Sequence, residues 1–267
     1  MKMIPQSEQS EKKLNQSKFF YAVILADGGQ EFRAIGLNEQ RVYTVAYQDI
    51  AAVVSDYPQV DSIKLLRKNL SPYHRVCREL GKAFTTLPAR FGQIAQDEDE
   101  ALRVLRENYR KLRGELGRLH NKVEMGLKLW WEVDNVLQYF LTQDQGLKSY
   151  RDKLLRKSGP PSRMEQLDFG RYFYERMNAV RQGIAKKVLS CLPPGEVRVE
   201  DPSEDKMVMN TALLVRKEEL KEFEKGVNKA ASSLGEEYRL NIDGPWVPFS
   251  FLEGEFQTKK ESGYNRK

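Results

Sequence analysis

Residues 122–131 alternate without a break: Val123, Met125, Leu127, Leu129 and Trp131 are separated by Lys122, Glu124, Gly126, Lys128 and Trp130. A period of two puts the first set on one face of a β-strand and the second set on the other. Directly afterwards Val133, Val136, Leu137, Phe140 and Leu141 fall at helical spacing. A chain with both periods side by side must pack strands and helices around shared cores, and segment order decides how.

Before this strand the order is strands, helix, strand, helix. Residues 19–26 form a dense apolar run that stops at the turn signal Asp27-Gly28-Gly29. Residues 42–47 and 51–55 are two further strand candidates, and residues 56–69 read as a loop with one helical turn. Ser71-Pro72 predicts a helix start, serine as N-cap and proline in the first turn. Tyr73, Val76, Cys77, Leu80, Ala83 and Phe84 then make one apolar face. Thr85, Thr86, Leu87 and Phe91 favour a strand, with Pro88 fitting only an edge or an end. Lying between two striped helices, residues 85–92 are expected to order the N-terminal sheet. Asp97, Glu98, Asp99 and Glu100 suit the first turn of the next helix, whose stripe runs through Leu102, Leu105, Tyr109, Leu112, Leu116 and Leu119.

The second half repeats the logic with an insertion. A basic helix runs to Lys157 and breaks at Gly159-Pro160-Pro161. A longer helix from Ser162 carries Phe173, Met177, Val180, Ile184 and Val188, and the pair reads as a helical hairpin or short coiled coil. Strands at 197–200 and 207–215, a helix through Leu220, Phe223, Val227, Ala230 and Leu234, and a strand through Tyr238, Leu240 and Ile242 complete it. The expectation is an α+β chain of two ferredoxin-like domains, at 18–117 and 118–252, with helices on one face of each small sheet. The helical insertion occupies about 132–192, and the ends, 1–17 and 253–267, read as disordered tails.

The net charge of +6 is local: residues 144–187 hold eleven Lys or Arg against five Asp or Glu, and the remainder sums to zero. Basic residues beside Tyr150, Tyr172 and Tyr174 permit nucleic-acid binding as an alternative function. The plainer reading is a solvated helix surface offset by Asp152, Glu165 and Glu175. The two cysteines, Cys77 and Cys191, read as lone buried thiols in a reducing compartment. The N-terminal stretch has no apolar core of a signal peptide, and the run at 19–26 is too short to span a bilayer, so a cytoplasmic protein with no membrane contact is expected.

Catalytic chemistry has no visible seat. His74 and His120 lack companions at metal-ligand spacing, neither nucleotide-binding glycine fingerprint occurs, and helix capping accounts for the acidic run at 97–100. No catalytic residue, cofactor or metal is therefore assigned. Candidate partner-binding residues are Arg90, which stands among apolar neighbours, the hairpin residues Arg171 and Arg176, and Trp246, Phe249 and Phe251 in the proline-stiffened ending. That ending is expected to close partly over the core of the second domain. Arg90 is expected to serve the fold through a buried or interdomain pair.

Several stretches together resemble the gas vesicle protein GvpL/GvpF family. They are His74, Leu87-Pro88-Ala89-Arg90-Phe91-Gly92, Lys122-Val123-Glu124, Gly170-Arg171-Tyr172 and Gly244-Pro245-Trp246-Val247-Pro248-Phe249-Ser250-Phe251. The family's usual ending has two consecutive prolines and a tyrosine, and Val247 and Phe249 occupy two of those places here. The resemblance extends from Phe19 to Leu252. It implies a minor gas vesicle protein needed for shell assembly, with no known catalysis. It also implies contact with the shell-forming subunit GvpA and with other accessory gas vesicle proteins. The implied fold is two α+β domains of modified ferredoxin-like type, the second with a helical extension, and the implied location is the gas vesicle.

Overall fold

The computed structural model describes residues 16–26, 31–58 and 63–253. The chain divides into two compact units, Met1–Glu124 together with Pro245–Lys267, and Met125–Gly244. The break thus falls inside the alternating strand and not at residue 117, and the aromatic ending returns to the first unit.

The first unit is built around β1 (Ser17–Leu25), followed by β2 (Glu31–Ile35), β3 (Arg41–Tyr47) and β4 (Ile50–Tyr57). Then come α1 (Arg67–Ala83), the short β5 (Thr86–Pro88) and β6 (Ile94–Ala95), and α2 (Glu98–Arg118). The sheet order is β2-β3-β4-β1-β5, with β6 also pairing β1. β1 runs antiparallel to β4, β5 and β6, so it is the ordering strand. The segment expected in that role supplies only a three-residue edge, because Pro88 gives the ladder no N–H. β4 and β5 are both antiparallel to β1 and hence parallel to each other, with α1 crossing between them. Phe19, Tyr21 and Ile24 join a core with Tyr73, Val76, Cys77 and Leu80 of α1. Phe20 and Val23 are equally buried, and α2 packs against β1, β3 and β4. β1 is therefore covered on both faces, which the unbroken apolar run requires and a one-faced sheet does not satisfy.

Tyr21 ties this core together. Its hydroxyl pairs with Ser55 Oγ at 2.9 Å and accepts from Leu37 N at 2.7 Å. Gly36 is needed beside it, since a Cβ there would lie 2.2 Å from the phenolic oxygen. α1 begins at Arg67, a turn earlier than Ser71-Pro72 predicts, leaving Pro72 inside the helix. Asn69 Nδ2 donates to Lys64 O at 2.9 Å and steadies that extra turn. At α2 the acidic run caps the helix: Asp97 Oδ1 accepts from Glu100 N at 2.7 Å, and the Glu100 carboxylate accepts from Gln96 N at 2.6 Å.

The second unit begins in β7 (Lys122–Trp131), whose burial alternates residue by residue as its sequence demands. α3 (Val136–Gln143), α4 (Gln145–Leu155) and α5 (Arg163–Leu189) follow, then β8 (Glu196–Glu200), β9 (Met207–Arg216), α6 (Leu220–Ser232) and β10 (Tyr238–Trp246). The sheet order is β10-β7-β9-β8. Trp131 N donates to Lys206 O and Thr211 Oγ1 donates to Leu127 O, so β7 and β9 run in opposite directions. Asp144 and Ser162 cap α4 and α5, the latter with a reciprocal Glu165 bond. α4 and α5 pack through Tyr150 against Phe169 and Tyr172, with ring centroids 5.6 and 5.8 Å apart.

The turn expected at Asp27-Gly28-Gly29 lies outside the described residues, as do 1–15 and 254–267 of the two expected tails. Ser17 and Lys18, at the boundary of the first tail, are buried residues of β1.

Candidate functional site

The two stretches at 87–91 and 249–252 come together in the first unit. With α1 and α2 they line a hollow of about 460 Å³ whose walls include Leu70, Tyr73, His74, Leu87, Phe91, Leu112, Phe249 and Leu252. Tyr73 is buried, and its hydroxyl donates to Ala89 O, which fixes the backbone at the end of β5. Phe91 packs edge-on against Tyr73 and Phe19, at 5.4 and 5.7 Å. Gly92 then turns the chain at φ +93, a conformation that only glycine adopts without strain. Phe249 lies edge-on to His74 at 5.4 Å and forms part of the wall. Arg90, Lys111 and Glu115 stand at the hollow beside these apolar groups. Such a cavity accepts an apolar side chain and offers charge at its edge, and it brings no nucleophile together with a base.

Three expectations change here. Arg90 is exposed at the edge of the hollow and is not buried among its apolar neighbours; pinning Ala89 inward turns the next side chain out. Phe251 is fully buried and belongs to the core of its unit. Its carbonyl accepts from Arg118 Nη2, while Ser250 N and Oγ each donate to the Glu124 carboxylate at 2.7 Å. The ending thus closes over the core of the first unit, where Val247 joins the Phe19 cluster and Phe249 packs against it. Trp246 remains 43% exposed.

Arg171 and Arg176 belong to the second unit and stay exposed. Arg171 donates to Asp168 at 2.8 Å and Arg176 to Asp144 at 2.6 Å. Burial alone raises the Asp144 pKa, but the Arg176 bond and the helix N–H groups outweigh it and hold the carboxyl below its ordinary value. Arg151 pairs with Asp152 and Lys157 with Glu165, while Arg181 is buried. Lys187 Nζ donates to Ser233 O at 2.6 Å, so six of the eleven cations are engaged within the fold. The free charge that a nucleic-acid footprint needs is correspondingly reduced.

The remaining reactive groups form no constellation. His120 Nδ1 lies 3.1 Å from Thr85 Oγ1, and among the described residues no cluster of His, Cys, Asp or Glu is arranged to hold a metal ion. Both cysteines are free, but only Cys77 is buried; Cys191 is half-buried at the end of α5. Burial pushes the Cys77 thiol up to about 12, and its Sγ donates to Tyr21 O at 3.5 Å. A thiol reagent at pH 8 is expected to modify Cys191 in the folded protein and to reach Cys77 only in denaturant. Mass mapping of the labelled peptides checks this, and rapid native labelling of Cys77 contradicts the packing described here.

Among the described residues no helix is long and apolar enough to cross a membrane. What the fold defines is a two-unit α+β protein whose surface offers an apolar hollow and a helical hairpin, with no assembled catalytic group among the described residues. The chain belongs to the gas vesicle synthesis protein GvpL/GvpF family, whose sequence model matches residues 17–253. It is 27% identical to gas vesicle protein F of Streptomyces sp. (strain CB03234) over 229 residues, covering 84% of this chain and 93% of that protein. Gas vesicle protein F of Dolichospermum flosaquae is 25% identical over 223 residues, with 82% and 90% covered. The crystal structure of GvpF from Anabaena sp. PCC7120 superposes with a TM-score of 0.79 at 22% identity, covering 90% of this chain and 99% of that one. GvpF from Microcystis aeruginosa gives 0.70 at 20% identity, with 88% and 98% covered. Both likenesses establish the fold.

Proposed function

We propose that this chain serves gas vesicle formation as a non-catalytic binding protein that holds the shell-forming subunit GvpA, through the hollow of its first unit, and works alongside other accessory gas vesicle proteins. Family membership supports a gas vesicle role. The observation that carries the finer reading is the convergence of residues 87–91 and 249–252 on one apolar hollow with exposed Arg90 and Lys111 at its edge. A shell-forming subunit needs an apolar face, and such a face must be covered before assembly or it aggregates. A preformed hollow stiffened by Pro88 and Pro248 takes an apolar side chain at low ordering cost.

Co-purification of the shell subunit with this chain tests the reading. Lys111→Glu changes an exposed side chain and should leave thermal melting in place, while Arg90→Glu, whose exposed side chain also interacts within the fold, should lower it slightly; each should reduce recovery several-fold. Phe249→Ala should reduce recovery further, with some loss of stability because Phe249 also packs on the core. Undiminished recovery with both charge variants removes the hollow from the interface.

A further inference from the structure

The sheet of the second unit ends at β8, whose neighbour in the ladder is β9. All five residues of β8 are exposed, Val199 at 72%. An edge strand presents a row of unpaired N–H and C=O groups on which another chain can pair. Beside this edge lies a hollow of about 890 Å³ between α5 and the β8–β9 hairpin. Tyr174 and Met177 line it from the helix, and Val199 lines it from the strand beside its register partner Thr211. Tyr174 is 58% exposed, so two large apolar groups stay uncovered at one opening. The rim is acidic. Glu200, Asp201, Glu204 and Asp205 line the hollow, and among the described residues none of them forms an ion pair. Asn210 Nδ2 donates to Glu200 at 2.9 Å, a neutral bond that leaves the charge in place. The cation in the lining, Arg181, has its donors committed to Met207 O, Asp205 O and Asn178. Four carboxylates against one guanidinium leave the lining at −3, on a chain whose net charge is +6. Lys206, which follows Asp205 outside the lining, does not reverse that sign. A metal does not account for the carboxylates, since no cluster among the described residues is arranged to hold one.

We infer that β8 takes up an extended segment of a partner protein as a further strand of this sheet, one with basic residues at i and i+4, a neutral residue midway and apolar residues between. Main-chain hydrogen bonds to the edge supply the pairing, and alternate side chains supply the choice. On one face the basic residues stand opposite Glu196 and Glu200, and the neutral one stands opposite Arg198, which Glu196 already holds at 3.4 Å. On the other face the apolar residues cover Val199 and enter the hollow beside Tyr174. Charges on an edge guard it against chance pairing, and this guard admits a basic strand while repelling an acidic one. A second copy is disfavoured by register. Antiparallel self-pairing centred on Arg198 sets Glu196 against Glu200 and Arg198 against itself, and in-register parallel pairing also opposes like charges throughout. A shift of two residues matches the charges but brings Pro194 or Pro202 into the ladder, where proline has no N–H to give. Nucleic acid is disfavoured by the carboxylates. The inference concerns the second unit and stands whether or not the hollow of the first unit binds the shell subunit.

The test uses the full chain and the fluorescent peptide Gly-Lys-Val-Thr-Val-Lys-Gly, with its fully N-methylated form as control. Anisotropy should show saturable binding of the first peptide and none of the second, which carries the same charge and cannot form the ladder. Amide hydrogen exchange at residues 196–200 should slow by at least about tenfold on saturation, and exchange at residues 41–47 should not change. Glu200→Lys/Asp201→Lys should weaken binding by at least about tenfold with thermal melting retained. Glu224→Lys/Glu236→Lys makes the same change of charge at exposed positions outside the hollow and should not weaken it. Absence of saturable binding overturns the proposal, as does equal binding of the N-methylated peptide. Binding that Glu200→Lys/Asp201→Lys leaves intact, or that slows exchange elsewhere and not at 196–200, overturns it too. Self-association in sedimentation that the peptide reverses overturns it in favour of a second copy. Protection of residues 196–200 by oligo-dT overturns it in favour of nucleic acid.

Discussion

Arg181→Ala is expected to lower the stability of the second unit by about 3 kcal/mol, the scale of breaking a buried charged hydrogen-bond group. Arg181 is 8% exposed. Its Nε donates to Met207 O and its Nη2 to Asp205 O, each at 3.0 Å, and Nη1 donates to Asn178 Oδ1 at 3.1 Å. The guanidinium also lies over the Trp131 ring, 5.3 Å from its centroid. One side chain therefore fastens the middle of α5 to the start of β9 and to the last residue of β7. Burial pulls its pKa down from the ordinary arginine value, the direction expected of a desolvated cation. Removing it orphans two carbonyls and opens a cavity against the indole, and water repairs only part of that. Arg181→Lys should recover less than half of the loss, since an ammonium cannot reach three acceptors in one plane. Lys186→Ala, on the exposed side of the same helix, should change stability by no more than about 0.5 kcal/mol. Urea midpoints of the three variants check the order; an Arg181→Ala midpoint matching that of Lys186→Ala contradicts the fastening role.

Arg181 also shows where sequence reading stops. The spacing predicts that α5 buries Met177, Val180, Ile184 and Val188, yet Val180 is 37% exposed and the buried face runs Met177, Arg181, Val188. A charged residue at a core position defeats a hydrophobicity pattern, because what makes it acceptable inside is a set of carbonyls more than twenty residues away in sequence. The alternation in β7 is legible for the opposite reason: each of its side chains meets an environment that matches its own polarity. The helices and most strands follow from such local agreement. β2 does not, since Glu31, Phe32, Arg33, Ala34 and Ile35 carry neither period for long enough.

The hollow was half legible. Residues 87–92 and 244–251 stand out as stretches whose prolines and aromatics want a rigid surface, but nothing local says that they meet. Their meeting depends on the chain returning at Pro245 to the first unit, and on Tyr73 holding the Ala89 carbonyl. Arg90 reads as a buried residue because its neighbours are apolar, whereas the turn at Gly92 points it outward. The same long-range logic hides Phe251, whose burial rests on Arg118 and Glu124.

Lys18 and Asp56 give the sharpest asymmetry in the first unit. Read locally, Lys18 directly follows a polar tail; in the fold it stands opposite Asp56 in the β1–β4 register, its side chain 3% exposed. Its Nζ lies 2.6 Å from Asp56 Oδ1, and the same oxygen accepts from Tyr43 Oη at 2.9 Å. Burial and this bond to Asp56 both raise the Tyr43 pKa, so the phenol stays a proton donor at any pH where the fold is studied. Asp56→Ala takes from the buried Lys18 ammonium the carboxylate bonded to it, leaving Glu98 and Asp99 across the same hollow as the nearest acidic groups, and is expected to cost about 3 kcal/mol. Lys18→Met removes the buried charge together with its need for a partner. Asp56, 31% exposed and still bonded to Tyr43, tolerates the loss, so this change should cost about 1 kcal/mol or less. The double variant Lys18→Met/Asp56→Ala should be more stable than Asp56→Ala alone, because the second substitution removes the stranded charge. An exposed ion pair would give two small and equal losses. Chemical denaturation of the three variants distinguishes the cases: equal single-mutant losses would mean that the ammonium reaches solvent, and a double variant no better than Asp56→Ala would mean that the lost stability lies in packing and not in charge.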